Sequence, residues 1–216
     1  LFAELEDDAL DRLAVLSLII HLARKQELFQ EGQPYRGAYV LLVGLAVVYR
    51  TSSDGRMLIL EVCRHGDSFS VVPLFEEEDA GNPATARATR PSEILIQPNR
   101  PFVPFLKQHP EVAWEMLQDF AGKLKELSLQ LEGVTLREVS SRLARYLLRE
   151  VEAAGADGAG QPVLDLPLAK GSIASYLGTV HETLSRTFAR LVKDTIVRVD
   201  GPKVTILDRQ RLEHLL

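Results

Sequence analysis

The stretch from 111 to 136 constrains the chain most, because its apolar residues repeat every 3.5 positions. Steps of four and three alternate along the apolar positions Ala113, Leu117, Phe120, Leu124, Leu127, Leu131 and Val134. A seam that keeps this period over about three heptads is typical of a helix paired with another helix. The alternative is that the stripe packs on a sheet of its own chain. The strict period favours a parallel dimer, with contacts expected at Leu117, Phe120, Leu124, Leu127 and Leu131.

The residues before this helix predict an antiparallel β domain. Brief apolar runs such as "GAYVLLVGLAVVYR" and "RMLILEVC" alternate with turn residues, among them the hairpin signal Asp54-Gly55. Short strands at this spacing are typical of a sandwich, jelly roll or barrel. An amphipathic helix over roughly residues 3–16 precedes them, and the prolines at 98, 101, 104 and 110 close the domain.

The residues after the seam follow the element order of a winged helix-turn-helix. A helix that ends at Gly155 leads into the flexible turn "ADGAGQP" and the short strand "VLDLP". Two short helices, a hairpin around Asp200-Gly201 and a final helix "RQRLEHLL" follow. The expected fold class is α+β, with domains at 1–110, 111–136 and 137–216.

The charge is distributed unevenly along the chain, so the negative net charge does not exclude a nucleic-acid partner. The formal net charge is −5, yet residues 137–216 hold 12 Lys and Arg against 10 Asp and Glu, whereas residues 1–136 hold 13 against 20. A hydrophobic content of 46% without an apolar run of about 18 residues is typical of globular domains without a membrane span. The single cysteine, Cys63, excludes an internal disulfide, so the reducing cytoplasm is the expected location.

The segment "GSIASYLGTVHETLSRTFARLVKD", residues 171–194, predicts two helices joined at a Leu-Gly-Thr corner. Leu184, Phe188 and Leu191 form the buried stripe of the second helix, and polar residues occupy its opposite face. In a helix-turn-helix, the first residues of the second helix enter the major groove of DNA. The candidate base-reading residues are therefore His181, Glu182, Ser185 and Arg186.

The chemistry of these residues fits the edges of bases. Arg186 can donate two hydrogen bonds to guanine, Glu182 can accept one from cytosine, and Ser185 can bond to either kind of edge. The expected phosphate contacts, which fix position without reading sequence, are Lys170, Arg190 and Lys193.

A structural alternative exists for Glu182. The tetrapeptide from Thr179 to Glu182 also matches a capping box, in which the Glu side chain bonds back to the N–H of the capping residue. Glu182 would then hold the helix together instead of contacting a base.

The sequence resembles the CRP/FNR superfamily of bacterial transcription regulators over nearly its whole length. The resemblance rests on "FQEGQPYRGAYVLLVGLAVVYR", "DGRMLILEVCRHGDSF", the heptad helix, and "IASYLGTVHETLSRTFARL" with its hairpin. It implies an N-terminal β-roll sensor like a cyclic-nucleotide-binding domain, a long dimerisation helix and a C-terminal winged helix-turn-helix. The implied partners are double-stranded DNA, a second copy of the chain, and RNA polymerase.

The second helix of the pair is similar to that of the fumarate–nitrate regulator branch. Its E-x-x-S-R signature corresponds to Glu182, Ser185 and Arg186, and His181 stands where the cyclic-AMP branch has a basic residue. This resemblance implies an inverted repeat with TTGA-type half-sites. It also puts Val180, a poor capping residue, at the N-cap, and Thr179 is an alternative cap one position earlier.

The resemblance disfavours a cyclic nucleotide as the effector. The binding cassette of that branch corresponds to "GDSFSVVPLFEEEDAGNPATARA", which keeps Gly66 and Asp67. Ser70-Val71 replaces its Gly-Glu pair, Asn82-Pro83-Ala84 replaces its Arg-Ser centre, and Arg87 falls on a later strand position. The acidic run from 76 to 79 would also repel a phosphate.

An iron–sulfur cluster is disfavoured as well, because clusters need several cysteines. Haem stays open, since "VTILDRQRLEHLL" and "SSRLARYLLREV" resemble nitric-oxide-responsive regulators of dissimilatory nitrate respiration. Candidate axial ligands are His21, His65 and Cys63, although His65 also fits an ordinary surface turn. The chain begins at Leu1 instead of Met, so we expect upstream residues that could supply further ligands.

The leading hypothesis is a homodimeric DNA-binding regulator, gated by an effector in the β-roll, with no enzymatic activity and no metal site. One alternative is an effector-binding module whose C-terminal domain makes protein contacts. Another is a cupin-like enzyme, which would need His and carboxylate ligands clustered on neighbouring strands. Residues 19–100 contain two histidines and no H-x-H pair, which disfavours that enzyme.

Overall fold

The computed structural model describes residues 7–76, 81–136, 138–155 and 161–216. The chain divides into two compact units, Leu1–Leu124 and Lys125–Leu216. Within the described residues, none of the helices combines the length and apolar character that crossing a bilayer requires.

The first unit is built mainly of short antiparallel strands, as the sequence predicted. Its helices are α1 (Asp7–Leu16), α2 (Asn99–Gln108) and the first part of α3 (Pro110–Leu136), with a short 3₁₀ helix at Val72–Phe75. Its strands are β1 (Leu18–Leu22), β2 (Glu27–Phe29), β3 (Gly37–Val43), β4 (Ala46–Thr51), β5 (Met57–Cys63), β6 (Ser68–Phe69), β7 (Thr85–Ala88) and β8 (Ser92–Pro98).

These strands form two four-stranded sheets, in the orders β1-β8-β3-β6 and β2-β7-β4-β5. Inward side chains from both sheets share one core. The rings of Phe29, Tyr39 and Phe69 follow one another in it, with centroids 5.1 and 5.5 Å apart. The predicted hairpin at Asp54-Gly55 joins β4 to β5, where Ser52 N–H donates to the carbonyl of Arg56 at 2.9 Å.

The proline-rich stretch that follows β8 forms α2, an element that the sequence analysis did not assign. Pro98 precedes the helix, Pro101 lies in its first turn, and Pro104 lies inside it. Proline is tolerated in a first turn, where backbone N–H groups have no intrahelical partner. Phe102 and Phe105 are buried against α1 and α3, so tertiary packing stabilises α2 despite Pro104.

Helix α3 spans the predicted seam, and its first half packs on the β domain through a different face. Val112 and Met116 are almost completely buried in a helical cluster with α1 and α2. Asp119 and Lys123 continue that face by one and two turns. The seam of the heptad pattern lies beside this face.

The second unit has the predicted order of a winged helix-turn-helix. After α4 (Val139–Ala153) come β9 (Val163–Asp165), α5 (Lys170–Tyr176), α6 (His181–Lys193), β10 (Val197–Asp200), β11 (Lys203–Ile206) and α7 (Arg209–Glu213). The strands form one antiparallel sheet in the order β10-β11-β9. The predicted turn at 156–160 lies outside the described residues.

One apolar core holds the helices of this unit together. Its fully buried side chains come from α4, α5, α6, β11 and α7, and include Leu143, Leu147, Ile173, Leu184, Leu191, Ile206 and Leu212. Because Leu184 and Leu191 point into this core, the opposite face of α6 is left on the surface.

Candidate nucleic-acid interface and effector region

A left-handed glycine makes the corner between α5 and α6. Gly178 has φ +62°, and its N–H donates to the carbonyl of Ser175 at 3.3 Å. Thr179 N–H donates to the carbonyl of Ala174 at 2.9 Å, which completes a Schellman motif. Arg142 of α4 donates to the carbonyl of Leu177 at 2.6 Å, so this hydrogen bond ties the corner to α4.

The two faces of α6 are divided as the sequence predicted. Leu184, Phe188 and Leu191 are buried. His181, Glu182 and Arg186 are exposed and Ser185 is half-exposed, so all four predicted base-reading residues lie together on the first turns of α6.

Glu182 and Arg186 form an ion pair on this surface. Arg186 Nη2 lies 2.6 Å from Glu182 Oε1, and about three quarters of each side chain is exposed. The pair spans one helical turn and lies in water, so its own contribution to stability is small. Both side chains are therefore available to a ligand.

The structure contradicts the capping-box alternative. Helix α6 begins after Val180, which is the N-cap and makes no side-chain capping bond. Thr179 is instead the last residue of the Schellman motif, and the Glu182 carboxylate bonds to Arg186. The expectation that Thr179 caps the helix one position earlier is wrong, because that residue is used to end α5.

The predicted phosphate contacts lie on the second half of α6 and at the start of α5. Lys193 is exposed on the last turn of α6, and Arg190 Nη2 lies 4.0 Å from Glu138 Oε2 at the start of α4. Lys170 opens α5 with its ammonium 5.6 Å from the centroid of the Phe188 ring. An open cavity of about 300 Å³ lies beside the start of α4 and one side of α6, and its lining includes Glu138, Ser140, Thr183, Arg186 and Arg190.

Sequence reasoning missed Arg142 and Glu138. Glu138 caps α4 and lies 52 positions before Arg190, and Arg142 of α4 lies 35 positions before Leu177 at the end of α5. No spacing pattern along the chain reports such a contact between two helices.

Most of the described seam residues of α3 are exposed in the single chain. The exposed fractions are 57% for Leu117, 66% for Leu124 and 47% for Leu127, and Phe120 is half-buried. The side chain of Leu131 lies outside the described residues. A row of exposed leucines on a long helix marks an interaction surface.

A polar cluster joins α3 to strands β5 and β6. Lys123 Nζ lies 2.9 Å from Glu61 Oε1 and 3.4 Å from Asp119 Oδ2, and it also donates to the carbonyl of Ser68. Ser68 Oγ donates to Asp119 Oδ2 at 2.6 Å. Burial raises the pKa of Glu61, and the ammonium of Lys123 offsets part of that rise. Burial lowers the pKa of Lys123, but the carboxylates of Glu61 and Asp119 outweigh it and leave that pKa raised.

Comparison with known proteins agrees with this architecture. A family model described as a cyclic nucleotide-binding domain matches residues 19–109, and one described as a Crp-like helix-turn-helix domain matches residues 141–215. A CRP-like cAMP-activated global transcriptional regulator of Mycobacterium tuberculosis is 24% identical over 98% of this chain and 94% of its own length.

The chain belongs to the CRP/FNR family of transcription regulators.

Further similar proteins lie in other bacteria. The transcriptional activatory protein AadR of Rhodopseudomonas palustris is 28% identical over 88% of this chain and 78% of its own length. The structure of FixK2 from Bradyrhizobium japonicum shares the fold, with a TM-score of 0.77 at 22% identity, over 92% of this chain and 96% of that one. The relatives of Mycobacterium tuberculosis and Rhodopseudomonas palustris are regulators of transcription, and neither matching family model describes an enzyme.

The segment that corresponds to the cyclic-nucleotide cassette of other CRP/FNR proteins is held together here by hydrogen bonds between uncharged groups. Ser70 Oγ donates to Asn82 Oδ1 at 3.2 Å, and Asn82 Nδ2 donates to the carbonyl of Gln33 at 3.1 Å. Asn82 is 2% exposed, so its side-chain amide forms its hydrogen bonds within the protein and not with a ligand from solvent. Arg87 lies over the ring of Tyr49, 5.1 Å from its centroid. The described residues of this cassette do not fit an anionic cyclic phosphate, and Glu77 to Asp79 lie outside them.

The three candidate haem ligands are not equally accessible. Cys63 is completely buried, and burial raises the pKa of its thiol well above the ordinary value. His65 Nδ1 lies 2.6 Å from the carbonyl of Leu42 in an exposed turn, and His21 is exposed beside Glu93 at 3.5 Å. Among the described residues, no group of three His, Cys, Asp or Glu side chains is placed to hold a metal ion. Of these candidates only the two histidines are open to a ligand from solvent.

Proposed function

We propose that this CRP/FNR regulator binds DNA as a homodimer and reads an inverted repeat with the exposed face of α6, under the control of an effector at the β-roll. The observation that carries the proposal is the exposed Glu182–Arg186 pair, held above the buried stripe of Leu184, Phe188 and Leu191.

The residue types on α6 suit TTGA-type half-sites. Such a half-site contains one G·C pair, which offers a guanine edge to Arg186 and a cytosine amino group to Glu182. Their ion pair keeps both side chains on one side of the helix, so a single base pair step can engage both. His181 and Ser185 flank them and add donors and acceptors for neighbouring bases.

Cations around the reading residues would anchor the DNA backbone. Lys170, Arg190 and Lys193 are the proposed phosphate contacts, which supply affinity without sequence preference. The carboxylate of Glu138 lies beside Arg190 and would weaken the attraction of that cation for a phosphate. Each phosphate contact releases counterions, so affinity should fall steeply as salt rises.

Two copies of the chain are needed to read an inverted repeat. The seam of α3 is the proposed interface, formed by Leu117, Phe120, Leu124, Leu127 and Leu131. An inverted repeat has two-fold symmetry, so its two half-sites are read by two α6 helices that a two-fold axis relates.

Gating is proposed to pass through α3, because the Lys123 cluster joins that helix to β5 and β6. An effector that alters this joint would shift the population between two dimer arrangements. The effector is proposed to be haem or another ligand that does not present a cyclic phosphate. RNA polymerase is the proposed protein partner, and the cytoplasm, where the DNA lies, the proposed location.

The test is an equilibrium titration of a labelled duplex that carries two inverted TTGA half-sites, against a scrambled duplex of equal length, at several salt concentrations. The proposal predicts that the repeat binds at least 100-fold more tightly, with two chains per duplex. Equal weak binding to both duplexes would favour the alternative that the C-terminal domain contacts proteins. An absorption spectrum of the freshly purified protein would show a Soret band if haem is bound.

A further inference from the structure

The short 3₁₀ helix Val72–Phe75 presents two large apolar side chains to solvent. Its inner residues, Pro73 and Leu74, are buried, while 62% of Val72 and 64% of Phe75 are exposed. An aliphatic and an aromatic side chain exposed next to each other on one turn are informative, because exposing them is unfavourable unless something covers them.

Phe75 lies directly beside the seam of α3. The rings of Phe75 and Phe120 meet edge to face, with centroids 6.2 Å apart. Phe120 is itself a seam residue, half-buried between the seam and the side of α3 that faces the β domain. The apolar surface therefore continues from α3 onto the 3₁₀ helix without a break.

The heptad pattern tells which part of a partner helix would approach Phe75. With Leu117 and Leu124 at position a and Phe120 at position d, Met116 and Lys123 occupy position g, on the side of the β domain. Trp114 and Ala121 occupy position e, on the opposite flank. In a parallel pair of helices the g flank of one helix faces the e flank of the other. The second copy would thus bring its own Trp114 and Ala121 toward Phe75.

We propose that Val72 and Phe75 belong to the dimer interface and pack on the flank of the second copy's α3 that carries Trp114 and Ala121. This inference rests on the proposed homodimer and extends its contact surface from the helix seam to the β domain. Trp114 is 63% exposed in the single chain, and Ala121, two turns further along the same flank, is exposed and small enough to leave room for a ring.

The area available on α3 supports the same conclusion. Its exposed large apolar side chains among the described residues are Trp114, Leu117, Leu124 and Leu127. Each offers on the order of 100 Å². Together they give about half of the ~800 Å² that each partner buries in an interface of standard size. Val72 and Phe75 are continuous with this described part of the seam and would add two further exposed apolar side chains to the interface.

The test compares the dimer dissociation constant of the 216-residue chain with those of its variants by analytical ultracentrifugation. Phe75→Ser is expected to raise the constant at least tenfold, and Val72→Ser less. Val15→Ser is the matched control, since Val15 is 86% exposed on α1, and it should leave the constant unchanged. A Phe75→Ser variant that dimerises as tightly as wild type overturns the inference. If that variant does not fold, Val72→Ser decides the question in the same way.

Leu124→Ser separates this inference from the proposed homodimer. If Leu124→Ser weakens the dimer and Phe75→Ser does not, the seam stands and the extension to the 3₁₀ helix is wrong. If the wild-type chain stays monomeric at micromolar concentration, the proposed dimer itself fails.

Fluorescence gives a second readout, because Trp114 is the single tryptophan of the chain. Its emission is expected to shift to shorter wavelength as the wild-type protein dimerises, and to shift less in Phe75→Ser. An emission maximum that does not move through the dimerisation range would place Trp114 outside the interface and overturn the assignment.

Discussion

The guanidinium of Arg186 lies 2.6 Å from the carboxylate of Glu182, one turn apart on the exposed face of α6. The two groups together present donors and an acceptor from one point of the helix. Because the pair is exposed, it contributes little to folding, and its main consequence is the orientation that it gives to both side chains.

Replacement of Glu182 by Gln should weaken binding to the TTGA repeat by about 1–2 kcal/mol, because it removes a charged acceptor and releases Arg186. On scrambled DNA the same variant should bind as well as wild type or slightly more tightly, since one negative charge facing the phosphates is lost. Fluorescence anisotropy with both duplexes measures the two effects.

Glu213→Gln is the matched control for this variant. Glu213 pairs with Arg209 at 2.8 Å, also one helical turn apart, but on α7. It should leave both affinities unchanged. A loss of equal size in both variants would show that position on α6 does not explain the effect.

Gly178→Ala should destabilise the C-terminal unit by about 1–2 kcal/mol, because alanine is strained in the left-handed conformation that the corner requires. Gly171→Ala should instead stabilise it slightly, since Gly171 lies within α5 and an added Cβ meets no atom within 4 Å. Differential scanning calorimetry gives the comparison. Equal melting temperatures for the two variants would contradict the role assigned to the corner.

The Lys123 cluster predicts an unusual pH dependence of stability. The pKa of Glu61 is raised in the folded protein, so its stabilising contribution is present at low pH and is lost as pH rises above about 4.5 and through the folded pKa. The free energy of unfolding of the wild type should therefore fall relative to Glu61→Gln as pH rises from about 4 to 7. Chemical unfolding followed by the fluorescence of Trp114 measures it.

Glu27 provides a control of opposite sign. Hydrogen bonds from Gln30 and Tyr49 lower its pKa, so its contribution appears as pH rises and is lost as pH falls through the folded pKa. The wild type should gain stability relative to Glu27→Gln over the same rise in pH. Parallel trends in the two variants would contradict the burial and contacts that the structure gives to these carboxylates.

Much of the architecture was readable from the sequence because it depends on local periodicity. The heptad steps located α3, the Asp54-Gly55 and Asp200-Gly201 signals located hairpins, and the stripe of Leu184, Phe188 and Leu191 gave the orientation of α6. These features are set by neighbours in the chain.

The sequence was less informative where distant segments decide the structure. Helix α2 was missed because its prolines oppose a helix, and only the packing of Phe102 and Phe105 explains it. Thr179 to Glu182 match the pattern of a capping box, but the N–H of Thr179 is already bonded to the carbonyl of Ala174 in the Schellman motif that ends α5. The contacts of Lys123 with Glu61 and Ser68 join residues more than fifty positions apart, which no motif reports.

The most direct test of the central claim, that α6 reads bases, is a double-mutant cycle between Arg186 and the G·C pair of the half-site. Arg186→Ala should lose about 1–3 kcal/mol on the intact repeat and little on a repeat with A·T at that position or on random DNA. An equal loss on all three duplexes would show that Arg186 contacts only the phosphate backbone, and would contradict the account.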